Sequence, residues 1–215
     1  MVLPLIGIGV PNPSRADVAR PASAASGART NDMLCSWRFW SIAVPFALAL
    51  VAQVGMIVHL VSFLMPHLGA DGAAMALALT SVGAVGGRLV LAGVIDRLHQ
   101  RRTAAASFAS QAVGLGLMLA FSHRPEALYA GCLLFGLSVG NVITIPALII
   151  QREFPPGAFG LVVGLSTAVG QFTFALAPAL LGVLRDATGG YAAVLAFCMV
   201  LQLAGSVLVL AAPRR

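Results

Sequence analysis

The stretch that decides the fold reads Gly86-Gly87-Arg88-Leu-Val-Leu-Ala92-Gly93-Val-Ile-Asp96-Arg97-Leu-His99-Gln100-Arg101-Arg102. It begins inside a long apolar run, which places Arg88 within a segment of membrane length, and it ends in a polar turn with a basic cluster. An arginine at that depth is costly unless it finds a partner or reaches the membrane surface. The stretch therefore indicates a membrane helix followed by a charged turn at one face of the bilayer.

The composition of the whole chain also favours a membrane protein. Hydrophobic residues make up 59% of the 215 residues and charged residues 9%, whereas a soluble domain carries about 25% charged residues. The chain is therefore expected to reside in a lipid bilayer. The three cysteines are scattered along the sequence, so neither a disulfide framework nor a metal site is predicted.

Six apolar runs of about 20 residues follow one another, which is the length that a helix needs to cross the hydrocarbon core. Because backbone groups in lipid must satisfy their own hydrogen bonds, these runs are predicted to be helices. Two glycine pairs, Gly136 with Gly140 and Gly160 with Gly164, have the spacing for close helix contacts. The predicted spans are Trp40–Leu64, Ala73–Ile95, Ala104–Phe121, Ala127–Ile150, Phe159–Leu184 and Tyr191–Ala212.

The arginines orient the predicted bundle. With the N-terminus inside, ten arginines lie on the inner side and only Arg124 and Arg185 lie in outer links, which follows the positive-inside rule. We therefore expect a multi-pass protein of the cell inner (plasma) membrane with both termini in the cytoplasm. Residues 1–38 are predicted to be a flexible cytoplasmic segment, and residues 39–215 a transmembrane domain. The inner arginines are Arg15, Arg20, Arg29, Arg38, Arg97, Arg101, Arg102, Arg152, Arg214 and Arg215.

The opening stretch resembles the signature loop of the major facilitator superfamily, Gly-Arg-x3-Gly-x3-Asp-Arg-x-Gly-Arg-Arg, which recurs between the second and third helices of each six-helix half. Ala92 stands where the inner glycine is expected, His99 replaces the loop glycine, and Gln100 replaces the first residue of the closing basic pair. A second stretch, from Ala177 to Tyr191, is similar to the segment that closes the eleventh helix in the oxalate/formate antiporter and monocarboxylate transporter groups.

This resemblance implies an all-α fold with six transmembrane helices, built as two inverted three-helix repeats, which is half of a twelve-helix facilitator. It implies secondary active or facilitative transport of a small solute, such as an organic monocarboxylate, by alternating access. A missing N-terminal half or a homodimer would complete the solute cavity, and residues 1–38 would be a remnant of the central loop. The conformational loop that holds the cytoplasmic helix ends would comprise Gly87, Asp96, Arg97, Arg101 and Arg102.

Polar side chains at depth define the predicted solute site. From the helical rise, Gln53, Asn141 and Gln171 lie about 18–21 Å into their spans, near the bilayer centre. Such amides can bind a solute between two halves of a transporter, or they can hydrogen-bond to neighbouring helices, and both interpretations stay open. Arg88 completes the set, because in the two transporter groups named above an arginine at a similar position meets the substrate carboxylate. The alternative for Arg88 is a structural role.

Other classes of function find little support in the sequence. Gly136-Leu-Ser138-Val-Gly140 spells the nucleophile elbow of serine hydrolases, but it lies in the middle of a predicted helix. Only His59 of the four histidines lies within a span, where an interfacial hydrogen-bonding role is the simpler interpretation. We expect no enzyme, catalytic residue, cofactor, metal or nucleic-acid partner; the expected partners are a small solute and the lipid bilayer. The alternative function is a truncated, non-transporting fragment or a half-subunit that needs an N-terminal partner.

Overall fold

The computed structural model describes residues 33–94 and 98–211. The chain divides into two compact units, Met1–Cys35 and Ser36–Arg215, and the helices α1–α6 lie in the second. Residues 1–32, which make up most of the predicted N-terminal segment, lie outside the described residues, as do Ile95, Asp96 and Arg97 of the signature turn and residues 212–215. The helices are α1 Trp37–Val94, α2 Gln100–Ala120, α3 Pro125–Val139, α4 Asn141–Glu153, α5 Phe159–Thr188 and α6 Ala192–Leu210.

Five helical segments of the described chain are long and apolar enough to cross a membrane, and α3 with α4 forms one of them. The longest is α1, whose 58 residues would extend to about 90 Å if straight, roughly three times the thickness of the hydrocarbon core. It is broken at Gly69, whose φ of 70° is a backbone conformation that glycine adopts without steric cost. The break separates a first arm, residues 37–68, from a second arm, residues 70–94.

The link predicted between the first two spans is therefore helical rather than irregular. The sequence prediction ended the first span at Leu64 and began the second at Ala73, because Pro66 and Gly69 are turn residues. In the structure the helix continues on both sides of Gly69. The reason is local: a single positive φ at one glycine redirects the chain, so neither flanking residue has to leave the helical conformation.

Contacts along the first arm of α1 define its direction relative to two other helices. A Cβ placed on Gly170 would contact Leu50, and one placed on Gly55 would meet Leu181, so the residue numbers of the first arm and α5 rise together. The first arm and α5 are therefore parallel. By contrast, Ser41 and Val209 share a hydrogen-bond partner at one end, while Gln202 bonds to Ala49 further along. The first arm and α6 are therefore antiparallel.

The second arm of α1 runs parallel to α3 and into the start of α4. A Cβ on Gly72 would contact Tyr129 near the beginning of both helices, and Arg88 packs on Gly140 near their ends. Between these points the backbones come very close, because a Cβ on Gly136 would collide with the backbone of Thr80. Small residues permit this approach, which van der Waals packing in lipid requires.

The helix α2 runs antiparallel to both α3 and α6. Ser110 donates to the Leu134 carbonyl over 3.2 Å while Gly114 packs against Gly131, and Ser206 of α6 donates to the Ala105 carbonyl over 3.0 Å. Taken with the other contacts, the first arm, α2 and α5 run in one direction. The second arm, the pair α3–α4 and α6 run in the opposite direction.

The apolar core lies among α1, α2, α3 and α6, whereas α5 stands at the edge of this bundle. The core cluster includes Met56 and Leu60 of the first arm with Leu115, Phe135 and Cys198. In α5, only Val162, Ala177 and Leu181 are buried along 30 residues. The exposed faces of α5 and of the second arm are therefore available to lipid or to another protein surface.

Candidate functional site

A cavity of about 480 Å³ opens between the first arm of α1, the α3–α4 segment and α5. Its wall is mostly apolar, from side chains such as Phe46 and Phe174, and none of the described residues that line it is charged. The polar side chains that line it are Gln53, Ser166, Thr167 and Gln171. A largely apolar pocket with a few polar groups is typical of a small-molecule site.

Two of the four predicted solute residues meet at this cavity. Gln53 and Gln171 both line it, from helices that are separated by more than a hundred residues in sequence. Gln171 is exposed in the described chain, so its amide is free to contact a solute. Gln53 is only 2% exposed, and its amide oxygen accepts a hydrogen bond inside the bundle.

Three glutamines form a buried chain of hydrogen bonds that includes Gln53. Gln111 Nε2 of α2 donates to Gln53 Oε1 over 2.8 Å, and Gln202 Nε2 of α6 donates to Gln111 Oε1. Gln202 Nε2 also lies 3.3 Å from the carbonyl oxygen of Ala49. Both interpretations of Gln53 therefore apply to one side chain, because it accepts a hydrogen bond from α2 and it also lines the cavity.

Asn141 lies outside the cavity wall, at the junction of α3 and α4. Its Nδ2 is 3.5 Å from both the Ser107 hydroxyl and the Leu137 carbonyl oxygen, which is long for a hydrogen bond. Its Oδ1 is buried and has no donor among the residues that the structure describes. The predicted depth of Asn141 in the bilayer stays a prediction, and the sequence could not show which way its side chain faces.

Arg88 also lies outside the cavity wall, but against the same α3–α4 junction. Its side chain lies across Gly140, where an added Cβ would sit 2.5 Å from Arg88 Nε and 2.9 Å from Cγ. Gly140 falls between Val139 and Val142, which do line the cavity. Arg88 is exposed, and no hydrogen bond or ion pair joins it to any residue in the ranges 33–94 and 98–211.

The conformational loop contributes a buried cation, Arg101, which joins the ends of four helices. Its Nε and Nη2 bind the two carboxylate oxygens of Glu153 over 2.6 and 2.8 Å, a bidentate geometry that is strong and specific. Its Nη1 donates to the carbonyl oxygens of Val209, over 2.9 Å, and Ser41, over 3.3 Å. The Arg101 side chain is 5% exposed.

The other loop residues occupy different surroundings. Gly87 lies in the second arm, where a Cβ would collide with the Leu137 backbone, so its smallness serves helix packing. Arg102 is exposed. Asp96 and Arg97 are outside the described residues, so their predicted clamp role stays a prediction.

Arg101, Glu153, Ser41 and Val209 are called the Arg101 cluster below. Towards the opposite end of the bundle, His59 joins the first arm to α5 and to the start of α6. His59 Nε2 lies 3.1 Å from the Pro178 carbonyl oxygen, which can only accept, so Nε2 carries the hydrogen. Its Nδ1 then accepts from the Tyr191 hydroxyl at 3.4 Å. This arrangement matches the interfacial hydrogen-bonding role expected for His59.

Sequence reasoning did not identify Glu153, Gln111 or Gln202 as parts of these networks. Gln111 and Gln202 lie deep in predicted spans, and a buried amide in lipid needs a partner, so depth was a usable signal for a network. Glu153 was assigned to a link, and its partner Arg101 is 52 residues away in sequence. Only the fold brings these two residues together.

Comparison with known proteins agrees with this architecture. The family model described as Major Facilitator Superfamily matches residues 2–178 and residues 40–215. Proteins named "Uncharacterized MFS-type transporter YhhS" from Salmonella enteritidis PT4 (strain P125109) and from Salmonella typhi are each 32% identical over 119 residues. That segment is 55% of this chain but 29% of each relative, so the chain spans less than a third of the length of these curated relatives.

The family match covers more than half of the chain, and the described helices are long and apolar enough to cross a bilayer several times. The chain is therefore a multi-pass membrane protein that belongs to the Major Facilitator Superfamily.

Proposed function

We propose that this chain takes part in the transmembrane transport of a small solute by alternating access, either secondary active or facilitative. The observation that carries the proposal is the cavity between the first arm, the α3–α4 segment and α5, with Gln53 and Gln171 in its wall. A neutral, mostly apolar cavity with a few amides and hydroxyls suits passage of a solute better than catalysis, which needs a nucleophile paired with a base. The similar Salmonella proteins are named as transporters, which also favours transport over catalysis.

The proposed architecture has six spans arranged as two inverted three-helix repeats. The break at Gly69 divides α1 into two arms, each about as long as a bilayer is thick. When the arms are counted separately, the first three spans are the first arm, the second arm and α2. The first arm and α2 are parallel, and the second arm is antiparallel to both. The next three, α3–α4, α5 and α6, follow the opposite sequence of directions, which is the relation that inverted repeats have.

The proposed orientation places the Arg101 cluster and both termini in the cytoplasm of a cell whose inner membrane holds the protein. Arg38, Arg101, Arg102 and Arg152 gather at the end of the bundle where α1 and α2 begin and α4 ends, whereas Arg124 and Arg185 lie at the other end. Cytoplasmic sides of membrane proteins carry such an excess of arginine. Residues 1–38 are proposed to be a cytoplasmic segment that precedes the transmembrane domain, residues 39–215.

The solute class that we propose is an organic monocarboxylate. Arg88 packs on Gly140, next to Val139 in the α3–α4 wall of the cavity, and it has no anionic partner among the described residues. A guanidinium in this position can hold a carboxylate through two parallel hydrogen bonds. Asn141, with its unpartnered Oδ1, is proposed to join the site when the helices that surround it move.

A second six-helix half is proposed to complete the transporter, supplied by an N-terminal partner or by a second copy of this chain. The exposed faces of α5 and of the second arm would pack against that half, which would close the open side of the cavity. The alternative, a truncated fragment that does not transport, predicts no solute flux under any arrangement.

Reconstitution separates these possibilities. Purified chain is placed in liposomes at ratios that give either one copy or several copies per vesicle, and uptake of [14C]lactate is measured with and without an N-terminal six-helix partner. We expect no uptake with one copy alone and saturable uptake once a second half is present. Uptake by verified single copies would contradict the half-subunit proposal, and no uptake in any arrangement would contradict lactate transport, a result that the fragment alternative also predicts.

A further inference from the structure

The buried glutamine chain has a defined direction. Gln202 Nε2 lies 3.3 Å from the Ala49 carbonyl oxygen, and a backbone carbonyl can only accept a hydrogen bond. The nitrogen of Gln202 must therefore face this oxygen, and the same nitrogen donates to Gln111 Oε1. The nitrogen of Gln111 then faces Gln53 and donates to its Oε1. One backbone carbonyl of α1 thus sets the orientation of three side-chain amides.

Gln53 ends this chain, and its remaining polar group is a donor. Its Oε1 is occupied by Gln111, while its Nε2 makes no hydrogen bond to a residue within 33–94 or 98–211. Gln53 also lines the cavity. Because the side chain is 2% exposed, turning the amide over would break the bond to Gln111 inside the bundle and leave two donor groups facing each other, which is costly.

We propose that Gln111 and Gln202 are positioning residues that hold Gln53 Nε2 as a fixed hydrogen-bond donor for solute in the cavity. The cavity then selects solutes that present an acceptor oxygen to Gln53, such as one oxygen of a carboxylate. This inference rests on the proposed transport function and deepens it, because it assigns two residues that never reach the cavity a role in solute recognition.

The physical advantage of such a chain is twofold. Hydrogen bonds that point the same way polarise one another, and a low-dielectric surrounding strengthens them, so the last donor is a better one than an isolated amide. A donor that is already held in place also loses less conformational freedom when solute binds. The competing explanation is that the glutamines only join helices, which is a common use of amides in membranes.

A measurement without solute tests whether the glutamine hydrogen bonds position Gln53, and a titration with solute tests whether Gln53 then binds it. The full polypeptide is labelled with 15N in its glutamine side chains and assembled in lipid nanodiscs with its second half, either the N-terminal partner or a second copy. The amide signals are assigned with single Gln→Met variants. Sodium acetate, the smallest stable monocarboxylate probe with a methyl group, is then titrated, with sodium chloride as the ionic-strength control. Ser206→Ala is the matched variant, because Ser206 also joins α6 to α2 but has no link to Gln53.

We expect Gln202→Met to shift the Gln53 amide signals before any acetate is added, and acetate to move those signals downfield to saturation in the natural chain. Gln202→Met should weaken acetate binding about five-fold, the effect of losing one ordinary hydrogen bond. The double variant Gln53→Met with Gln202→Met should bind no more weakly than Gln53→Met alone, since Gln202 acts through Gln53. Ser206→Ala should change neither the Gln53 signals nor the affinity.

Four results would overturn the inference in distinguishable ways. If the Gln53 amide signals do not shift in Gln202→Met, the glutamine hydrogen bonds do not position Gln53. Acetate that shifts the Gln171 signals but not those of Gln53 would contradict the donor role of Gln53. Independent effects of Gln53→Met and Gln202→Met on binding would contradict the positioning role of Gln202. Both results would leave the transport proposal intact. If acetate moves no glutamine signal and does not bind, the proposed solute class falls and the recognition role of the chain falls with it.

Discussion

At the scale of single residues, Arg88 is the side chain whose role most affects the proposed solute class. It lies across Gly140 at the α3–α4 junction and has no hydrogen-bond or ionic partner among residues 33–94 and 98–211. A purely structural arginine in a membrane helix normally has such a partner, because leaving it without one is costly. A solute carboxylate or a second transporter half would supply what the described helices do not.

Replacing Arg88 by lysine separates recognition from structure. Lysine keeps the charge but cannot form two parallel hydrogen bonds to a carboxylate. We therefore expect Arg88→Lys to weaken lactate binding by about 10-fold or more, since hydrogen bonds to charged groups contribute about 1.5–3 kcal/mol, while the protein inserts normally. Equilibrium binding per folded molecule measures this, with Arg102→Lys as the exposed control. Unchanged affinity in well-folded Arg88→Lys would remove the case for an organic anion.

Individual residues also show what sequence reasoning can and cannot reach. The positions of Gln53, Gln171 and Arg88 along their helices could be predicted from the sequence, because helical rise is constant. Which side chains meet could not, since Gln53 joins Gln111 and Gln202 only after three helices have packed. Gly69 shows the limit for boundaries: a turn residue was recognised, but whether it ends a helix or only bends it depends on its φ angle.

At the scale of helices, the contact between the second arm of α1 and α3 depends on glycine at the crossing points. The spacing of Gly136 and Gly140 predicted a close contact, and both glycines do lie against the second arm. The equivalent pair in α5, Gly160 and Gly164, has no described atom within 4 Å of an added Cβ. The same spacing thus accompanies a filled contact in one helix and an open surface in the other.

Alanine substitution distinguishes these two glycine pairs. Gly136→Ala should lower stability by about 1–3 kcal/mol, because the added methyl group meets the Thr80 backbone, which cannot rotate away. Gly164→Ala should leave stability unchanged or raise it slightly, since alanine favours helix and meets open space. Thermal unfolding in detergent measures both. Equal unfolding midpoints for the two variants would mean that the second arm and α3 are not in close contact.

The ends of the helices are joined by the Arg101 cluster, which makes a second prediction at this scale. Glu153→Gln removes the charge that Arg101 binds and leaves a nearly buried guanidinium without an anionic partner. We expect a loss of about 2–4 kcal/mol in the free energy of unfolding. The matched control is Arg102→Gln, which changes an exposed neighbour. A Glu153→Gln protein as stable as the control would show that the charge of Glu153 contributes nothing to holding α4 against α2 at this end of the bundle.

At the scale of the whole molecule, the described helices pack unevenly, as we would expect if the proposed second half completes the transporter. One side holds the apolar core and the glutamine chain, while the cavity opens on the side where α5 has few buried residues. Helix type, apolar character and the approximate positions of the spans were accessible from the sequence, because each is a local property. The cavity was not, because its wall combines three segments that are far apart in the chain.

Access to the cavity from both sides of the membrane is the central claim, and cysteine labelling tests it most directly. Ser166 lines the cavity, and Val113 is an exposed apolar residue of α2 that we expect to face lipid. Each is changed to cysteine, Ser166→Cys or Val113→Cys, in a chain whose native Cys35, Cys132 and Cys198 have been replaced by serine or alanine. A membrane-impermeant thiol reagent is then applied to right-side-out and inside-out vesicles that contain the assembled transporter.

We expect the cysteine at position 166 to react from both sides and to be protected by lactate, because an alternating cavity opens to each face in turn. The cysteine at position 113 should react from neither side. A position 166 that is as unreactive as position 113 from both faces would contradict the claim that this cavity is the path of a solute.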